Sequence, residues 1–183
     1  MGFPIDSKVL GLREVIKVNE GESYRIPIYQ RPYSWEEKNI KDFLESIFDA
    51  FKEVNEIKSE SNAKPVFFGT IQLDLNKDDN TLDIVDGQQR LTTFLLLLDV
   101  LQKEIIKNHP GENNNDYSNT IDSEEFKKVL SETQIKKVSS KYSKNKEQLR
   151  KATSEYYEQE FKDKTNFYSE LKDFVLDNIY FVI

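Results

Sequence analysis

The sequence predicts an α+β domain, with a small mixed or antiparallel sheet, a β-hairpin, a strand–DGQQR–helix turn and a following helical region. Three observations predict it. Apolar side chains recur at three- and four-residue steps from Ile40 to Val54, the period of an amphipathic helix. Apolar and polar side chains alternate on either side of an NKDDN turn cluster at residues 76–80, the period of a hairpin. DGQQR, residues 86–90, then separates that hairpin from a long leucine-rich run.

Taken in order, SKVLGLREVIKV at 7–18 predicts a helical turn or two, ended by the Asn19-Glu20-Gly21 turn signal. YRIPI at 24–28 alternates Tyr24, Ile26 and Ile28 with Arg25 and Pro27. That is strand period, and Pro27, which has no N–H to donate, makes it an edge or extended segment. Ser34 is expected to open a helix over 35–57: in SWEE the hydroxyl can accept from the Glu37 backbone N–H while Glu37 reaches back. Ile40, Phe43, Leu44, Ile47, Phe48, Phe51 and Val54 form its apolar face, and KSESNAK at 58–64 reads as a loop. In the hairpin, Ile71, Leu73 and Leu75 alternate with Thr70, Gln72 and Asp74, and Leu82 and Ile84 alternate with Asp83 and Val85.

After DGQQR, Leu91, Phe94, Leu95, Leu98, Leu101 and Ile105 keep helical spacing. Leu96 and Leu97 add a second apolar face, so the helix should be largely buried. Pro110 and Gly111 stop it, and the Asn-rich stretch 112–119 reads as a flexible loop. The C-terminal third is rich in Lys and Glu. It predicts a helix or two at 121–137, one at 145–161 with Leu149, Ala152, Tyr156 and Tyr157 on one side, and one at 166–177 with Phe167, Leu171 and Phe174. The final IYFVI, 179–183, is an apolar β-run expected to return to the core sheet. Because a native terminus rarely stops inside a strand, the natural protein is expected to continue past it. The expected organisation is a core at 1–108, a flexible loop at 109–120 and a helical extension at 121–183.

Composition narrows the function classes. With 183 residues and 37% hydrophobic content the chain suits one domain, or one with a helical appendage. Twelve Phe and nine Tyr predict an aromatic core. Absence of Cys excludes disulfides, thiolate–zinc sites and thiol nucleophiles. No secretory signal opens the chain, and FLLLL at 94–98 is too short to span a bilayer, so a soluble cytoplasmic protein without membrane contact is expected. The net charge of −7 counts against a nucleic-acid-binding module by itself. One stretch departs from it: residues 135–151 carry seven Lys/Arg and one Glu, which reads as a solvated helix face before it reads as a DNA contact. His109, the single His, lies in a turn-rich loop and favours neither a His metal site nor a catalytic triad.

The strand–turn–helix junction at DGQQR gathers backbone N–H groups at a helix N-terminus, which carries partial positive charge and suits an anion. Gly87 permits the turn and leaves room for a ligand near the backbone. Arg90 falls in the first helical turn, where a cation opposes the helix dipole; a bidentate phosphate clamp gives it a purpose. Gln88 and Gln89 supply neutral donors and acceptors, and Thr92 and Thr93 could add hydroxyls. Asp86 could orient Arg90, accept from a hydroxyl, or hold Mg²⁺ through water. The bland alternative has Asp86 as a helix cap, Gly87 as a turn residue and Arg90 paired with a surface carboxylate. A second Gln-Arg cluster, in IPIYQRPYSW at 26–35, looks like the matching half of a polyanion site.

IPIYQRPYSW, a helix, FFGTIQL and IVDGQQRLTTFLLLLDVL, in that order, resemble the N-terminal domain of GmrSD-type, modification-dependent restriction proteins, within the ParB/sulfiredoxin-like superfamily. The resemblance is strong over about residues 20–105 and loose over the helical remainder. It implies a nucleotide-binding domain, similar to NTPases that often favour GTP, controlling a nuclease on the same or a partner chain. Asp86, Gly87, Gln88, Gln89 and Arg90 match its DGQQR motif, Tyr29, Gln30 and Arg31 its YQR motif, and Gly69 the glycine of its FxG strand. By this resemblance Asp86, Gln88, Gln89 and Arg90 are the catalytic candidates, with Gln88 or Gln89 positioning a water. Tyr29, Gln30, Arg31, Gly87, Arg90, Thr92 and Thr93 would bind the nucleotide, and Asp86 would meet Mg²⁺. DNA would be reached through the full-length protein or a partner nuclease domain, and a homodimer is allowed. Two departures stand out: the family continues into an FxxLNxRG segment beyond the IYFVI-like strand, and its HNH-type nuclease part, which needs several His, is absent. DNA cleavage is therefore not expected from these residues alone. The alternatives are a non-enzymatic DNA-recognition domain and a scaffold that docks a nuclease partner.

Overall fold

The structure is a computed structural model that describes residues 7–16, 23–56, 65–76, 81–108 and 132–183, with backbone alone for Ser23, Asn76 and 132–140. In chain order the elements are β1 (Val9–Gly11), α1 (Leu12–Ile16), β2 (Ser23–Arg25), α2 (Glu37–Glu56), β3 (Val66–Thr70), β4 (Gln72–Asn76), β5 (Thr81–Asp86), α3 (Gln88–Asn108), α4 (Glu132–Glu160), α5 (Phe167–Asn178) and β6 (Ile179–Val182). The α+β class stands. The predicted loops at 58–64 and 112–119, His109 and most of the expected 121–137 helix lie outside the described residues.

The strands form two three-stranded sheets, ordered β1-β6-β3 and β2-β5-β4. In the first, β6 lies antiparallel to β1 and parallel to β3. In the second, β5 lies parallel to β2 and antiparallel to β4, with Leu73 opposite Ile84 and Leu75 opposite Leu82, as the alternation predicts for a hairpin. β2 stops at Arg25, before Pro27, and occupies a sheet edge. Only Ile71 separates β3 from β4, and its N–H donates to Val182 O at 2.8 Å. One extended stretch therefore passes from the first sheet to the second. The register slips between Phe67 and Thr70, where Gly69 adopts φ +96°. That backbone region suits a residue without Cβ.

Two local expectations are corrected. Residues 9–11 are strand, not helix, because Val9 pairs with Val182 and Leu10 with Phe181 at the far end of the chain. α2 begins at Glu37, and Ser34 is not its cap. The Ser34 backbone N–H is spent on Gln89 Oε1 at 2.8 Å, while Asn39 Oδ1 accepts from the Glu36 N–H at 3.0 Å.

The core is aromatic, as twelve Phe and nine Tyr predict. Phe43, Phe68 and Phe94 meet edge to face, and Phe94 meets Phe181 in the same way, with ring centroids 4.7–5.7 Å apart. That geometry sets positive ring edges against negative faces. Phe48 and Tyr156 stack at 4.0 Å and join α2 to α4. Phe94 through Leu98 are all buried, so α3 is covered on every side over that stretch. Among the described residues no helix is long and apolar enough to cross a membrane.

Candidate functional site

β5 ends at Asp86, Gly87 turns with φ +89°, and α3 starts at Gln88. The segment after β2 folds over the same end. Gln30 N–H donates to Pro27 O at 3.0 Å, closing a turn, and Gln30 Nε2 donates to Val85 O at 2.5 Å, tying that turn to β5. Gln89 anchors the next residues: its Oε1 accepts from Ser34 N, and its Nε2 lies 3.4 Å from Pro32 O. Between the two segments is a recess of about 220 Å³ lined by Gln30, Arg31, Trp35, Asp86, Gly87, Gln88, Gln89 and Arg90. Both Gln-Arg clusters of the sequence thus meet in one place.

Its polar groups divide into those already engaged and those left over. Arg90 forks onto the backbone: Nη1 donates to Phe68 O and Nη2 to Thr70 O, each at 2.8 Å, and Asp86 Oδ2 stands 3.6 Å from Nη2. A Cβ on Gly69 would lie 1.9 Å from Arg90 Nη1. The cation that opposes the helix dipole is therefore a strut across the β3 bend, and two of its five N–H donors are used there. Gly87 also has a structural reason beyond ligand access, since a Cβ there would meet Ile71 Cγ1 at 2.9 Å and Thr70 O at 3.1 Å.

Gln88 is different. It is 4% exposed, and its Nε2 is buried with no hydrogen-bond partner among the described residues. An unsatisfied buried amide donor costs about 1–3 kcal/mol, and this one belongs to a residue lining the recess at the N-terminus of the 21-residue α3. Arg31 is exposed at the rim.

Four expected site residues are either outside the recess lining or already hydrogen-bonded within the chain. Thr92 and Thr93 are 2% and 0% exposed and do not line the recess. The Thr93 hydroxyl donates to Gln89 O, one helical turn back, at 2.8 Å. Gln89 is committed to the loop. Tyr29 is 70% exposed and lies outside the lining residues.

Sequence reasoning passed over Asn145. From the middle of α4 it donates to Tyr33 Oη at 3.1 Å and to Trp35 O at 3.0 Å, behind the recess wall. The signal was its place in a buried row with Tyr142, Leu149 and Thr153 at helical spacing.

Over residues 141–151, the part of the basic stretch whose side chains are described, the cations do not form a bare face. Lys141 and Lys144 pair with Glu36, Lys146 with Asp99 at 2.7 Å, Arg150 with Glu147 at 2.5 Å, and Lys151 with Glu155 at 3.9 Å. Burial pushes the Asp99 carboxyl up, but hydrogen bonds from Lys146 and Lys103 outweigh it and hold the group below its ordinary value.

Compared with known families, residues 12–183 match the one described as GmrSD restriction endonuclease, N-terminal domain. No curated protein matches the chain.

Proposed function

The chain belongs to the family of GmrSD restriction endonuclease N-terminal domains, and from that premise we propose that the recess at the start of α3 holds the phosphate end of a nucleoside triphosphate. Membership makes it a domain of a DNA restriction, anti-phage system. The proposal adds that it binds and hydrolyses the nucleotide, GTP foremost, to control a nuclease that acts on DNA from elsewhere in the protein or from a partner.

One observation carries this reading: the two Gln-Arg segments converge on a helix N-terminus beside a buried amide donor that nothing among the described residues satisfies. A phosphate oxygen, or a water bound to it, is an acceptor of the required kind. Arg31 supplies charge at the rim, and Arg90 has N–H donors beyond the two given to Phe68 and Thr70. Gln30 and Gln89 hold the wall, which leaves Gln88 as the glutamine to position a phosphate or an attacking water. A recess of about 220 Å³ falls below the roughly 300–1,000 Å³ of whole-ligand pockets, so it suits the phosphates and leaves the nucleoside outside.

Asp86 contributes one exposed carboxylate, and among the described residues no group of three metal-ligating side chains occurs. That donor set fits Mg²⁺ carried in by the phosphates, with waters and Asp86 completing its shell. When bound, the ion neutralises phosphate charge.

The test is calorimetric titration of GTP, ATP and CTP with Mg²⁺, alongside phosphate release. Saturable binding that weakens about tenfold in Gln88→Ala, the loss of one hydrogen bond to a charged group, is expected. Absence of binding by every nucleotide, or equal binding by the variant, refutes it.

A further inference from the structure

A hydrogen-bonded chain leads from α4 to the recess. Asn145 is 0% exposed, and its Nδ2 serves both Tyr33 Oη and Trp35 O. The Thr93 hydroxyl has one hydrogen and gives it to Gln89 O, so Tyr33 Oη donates to Thr93 Oγ1 at 2.9 Å. Asn145 thus grips residues on both sides of Ser34, whose own N–H is held by Gln89. Side chain and backbone of the wall that faces the α3 N-terminus are fixed from a helix about which neither motif says anything.

Helix stability does not account for this residue. Asn is a poor helix former, and here Oδ1 is buried with no partner among the described residues, as is Tyr142 Oη one turn earlier. An apolar residue in the same row would avoid that cost. What Asn alone supplies is two N–H donors aimed at a hydroxyl and a carbonyl of one loop.

The geometry points to Asn145 as a positioning residue that sets the spacing between the 30–35 wall and the N-terminus of α3, and so ties α4 to occupancy of the recess. The link to occupancy rests on the phosphate reading of that recess.

Trp35, the only tryptophan, lines the recess and accepts from Asn145, so its fluorescence reports on the wall. The test uses the 183-residue chain. Asn145→Asp keeps the shape but donates only when protonated, and Tyr33→Phe keeps the ring but breaks the chain. At neutral pH, Asn145→Asp is expected to bind magnesium–GTP about tenfold more weakly than wild type, as loss of hydrogen bonds to the wall implies. The deficit should shrink as pH falls. Tyr33→Phe should also weaken binding, and combining Asn145→Ala with Tyr33→Phe should add less than the sum of the two.

Trp35 emission in Asn145→Asp should move with pH while wild type stays flat. Wild-type affinity in Asn145→Asp at every pH, or additive losses, overturns the assignment. Should wild type bind no magnesium–GTP, the phosphate reading alone fails. Trp35 emission then still decides Asn145: a pH-dependent shift confined to Asn145→Asp supports the positioning role, and flat emission in a folded variant refutes it. If Asn145→Asp does not fold, Tyr33→Phe decides, with unchanged Trp35 emission as the refuting result.

Discussion

Replacing Gly69 with Ala tests the strut that Arg90 makes across the bend between the sheets. Two costs follow from the geometry. The added Cβ forces an L residue into φ +96°, which costs about 1–2 kcal/mol. It also lands 1.9 Å from Arg90 Nη1. The guanidinium tip is flexible and can move away, but only by giving up its bonds to Phe68 O and Thr70 O. Hydrogen bonds to charged groups are worth about 1.5–3 kcal/mol each, and Arg90 is 29% exposed, so the low end applies. The sum is about 4–5 kcal/mol, a large part of the roughly 5–15 kcal/mol that stabilises a domain. Urea unfolding followed by Trp35 fluorescence and helical circular dichroism measures it. In an Arg90→Ala background the clash is gone, and Gly69→Ala should cost only the backbone share, about 1–2 kcal/mol. An equal cost in both backgrounds would refute the strut.

Other expectations follow from the same geometry. Phe94→Ala, which empties the centre of the Phe43–Phe68–Phe181 cluster, should cost about 3–5 kcal/mol in urea unfolding. For Asp99, hydrogen bonds from Lys146 and Lys103 place the folded value below the ordinary 3.8. Its stabilisation is therefore present above that ordinary value and lost as pH falls through the lowered one. Thermal melts from neutral pH down to about 3 should show wild type losing up to about 1 kcal/mol more stability than Asp99→Asn. Gln89→Ala removes the anchor of Ser34 and Pro32 and should speed amide hydrogen exchange at Ser34 while leaving Ile84 unchanged.

Local signals were legible. DGQQR and the Gln30-Arg31 pair needed only turn chemistry and helix electrostatics to be singled out, and they line one recess. The hairpin and α2 followed from period. What escaped was non-local. β1 exists because Val9 and Leu10 meet a strand at the opposite end of the chain, and three mixed residues carry no strand period. The strut made by Arg90 escaped because the two carbonyls it holds belong to another element, exposed by the bend at Gly69. Asn145 hid inside a Lys-rich stretch whose charges suggested a solvated face, although Tyr142, Leu149 and Thr153 make the inner row around it.

Phosphate capture by the recess at the α3 N-terminus is the step on which the proposed function turns. Its most direct measurement is calorimetric titration of magnesium–GTP into wild type and Arg31→Ala, an exposed lining residue. Saturable binding that weakens about tenfold without the Arg31 charge, the worth of one charge-assisted contact, is expected. Identical isotherms for the two proteins, or no heat of binding in either, would contradict it.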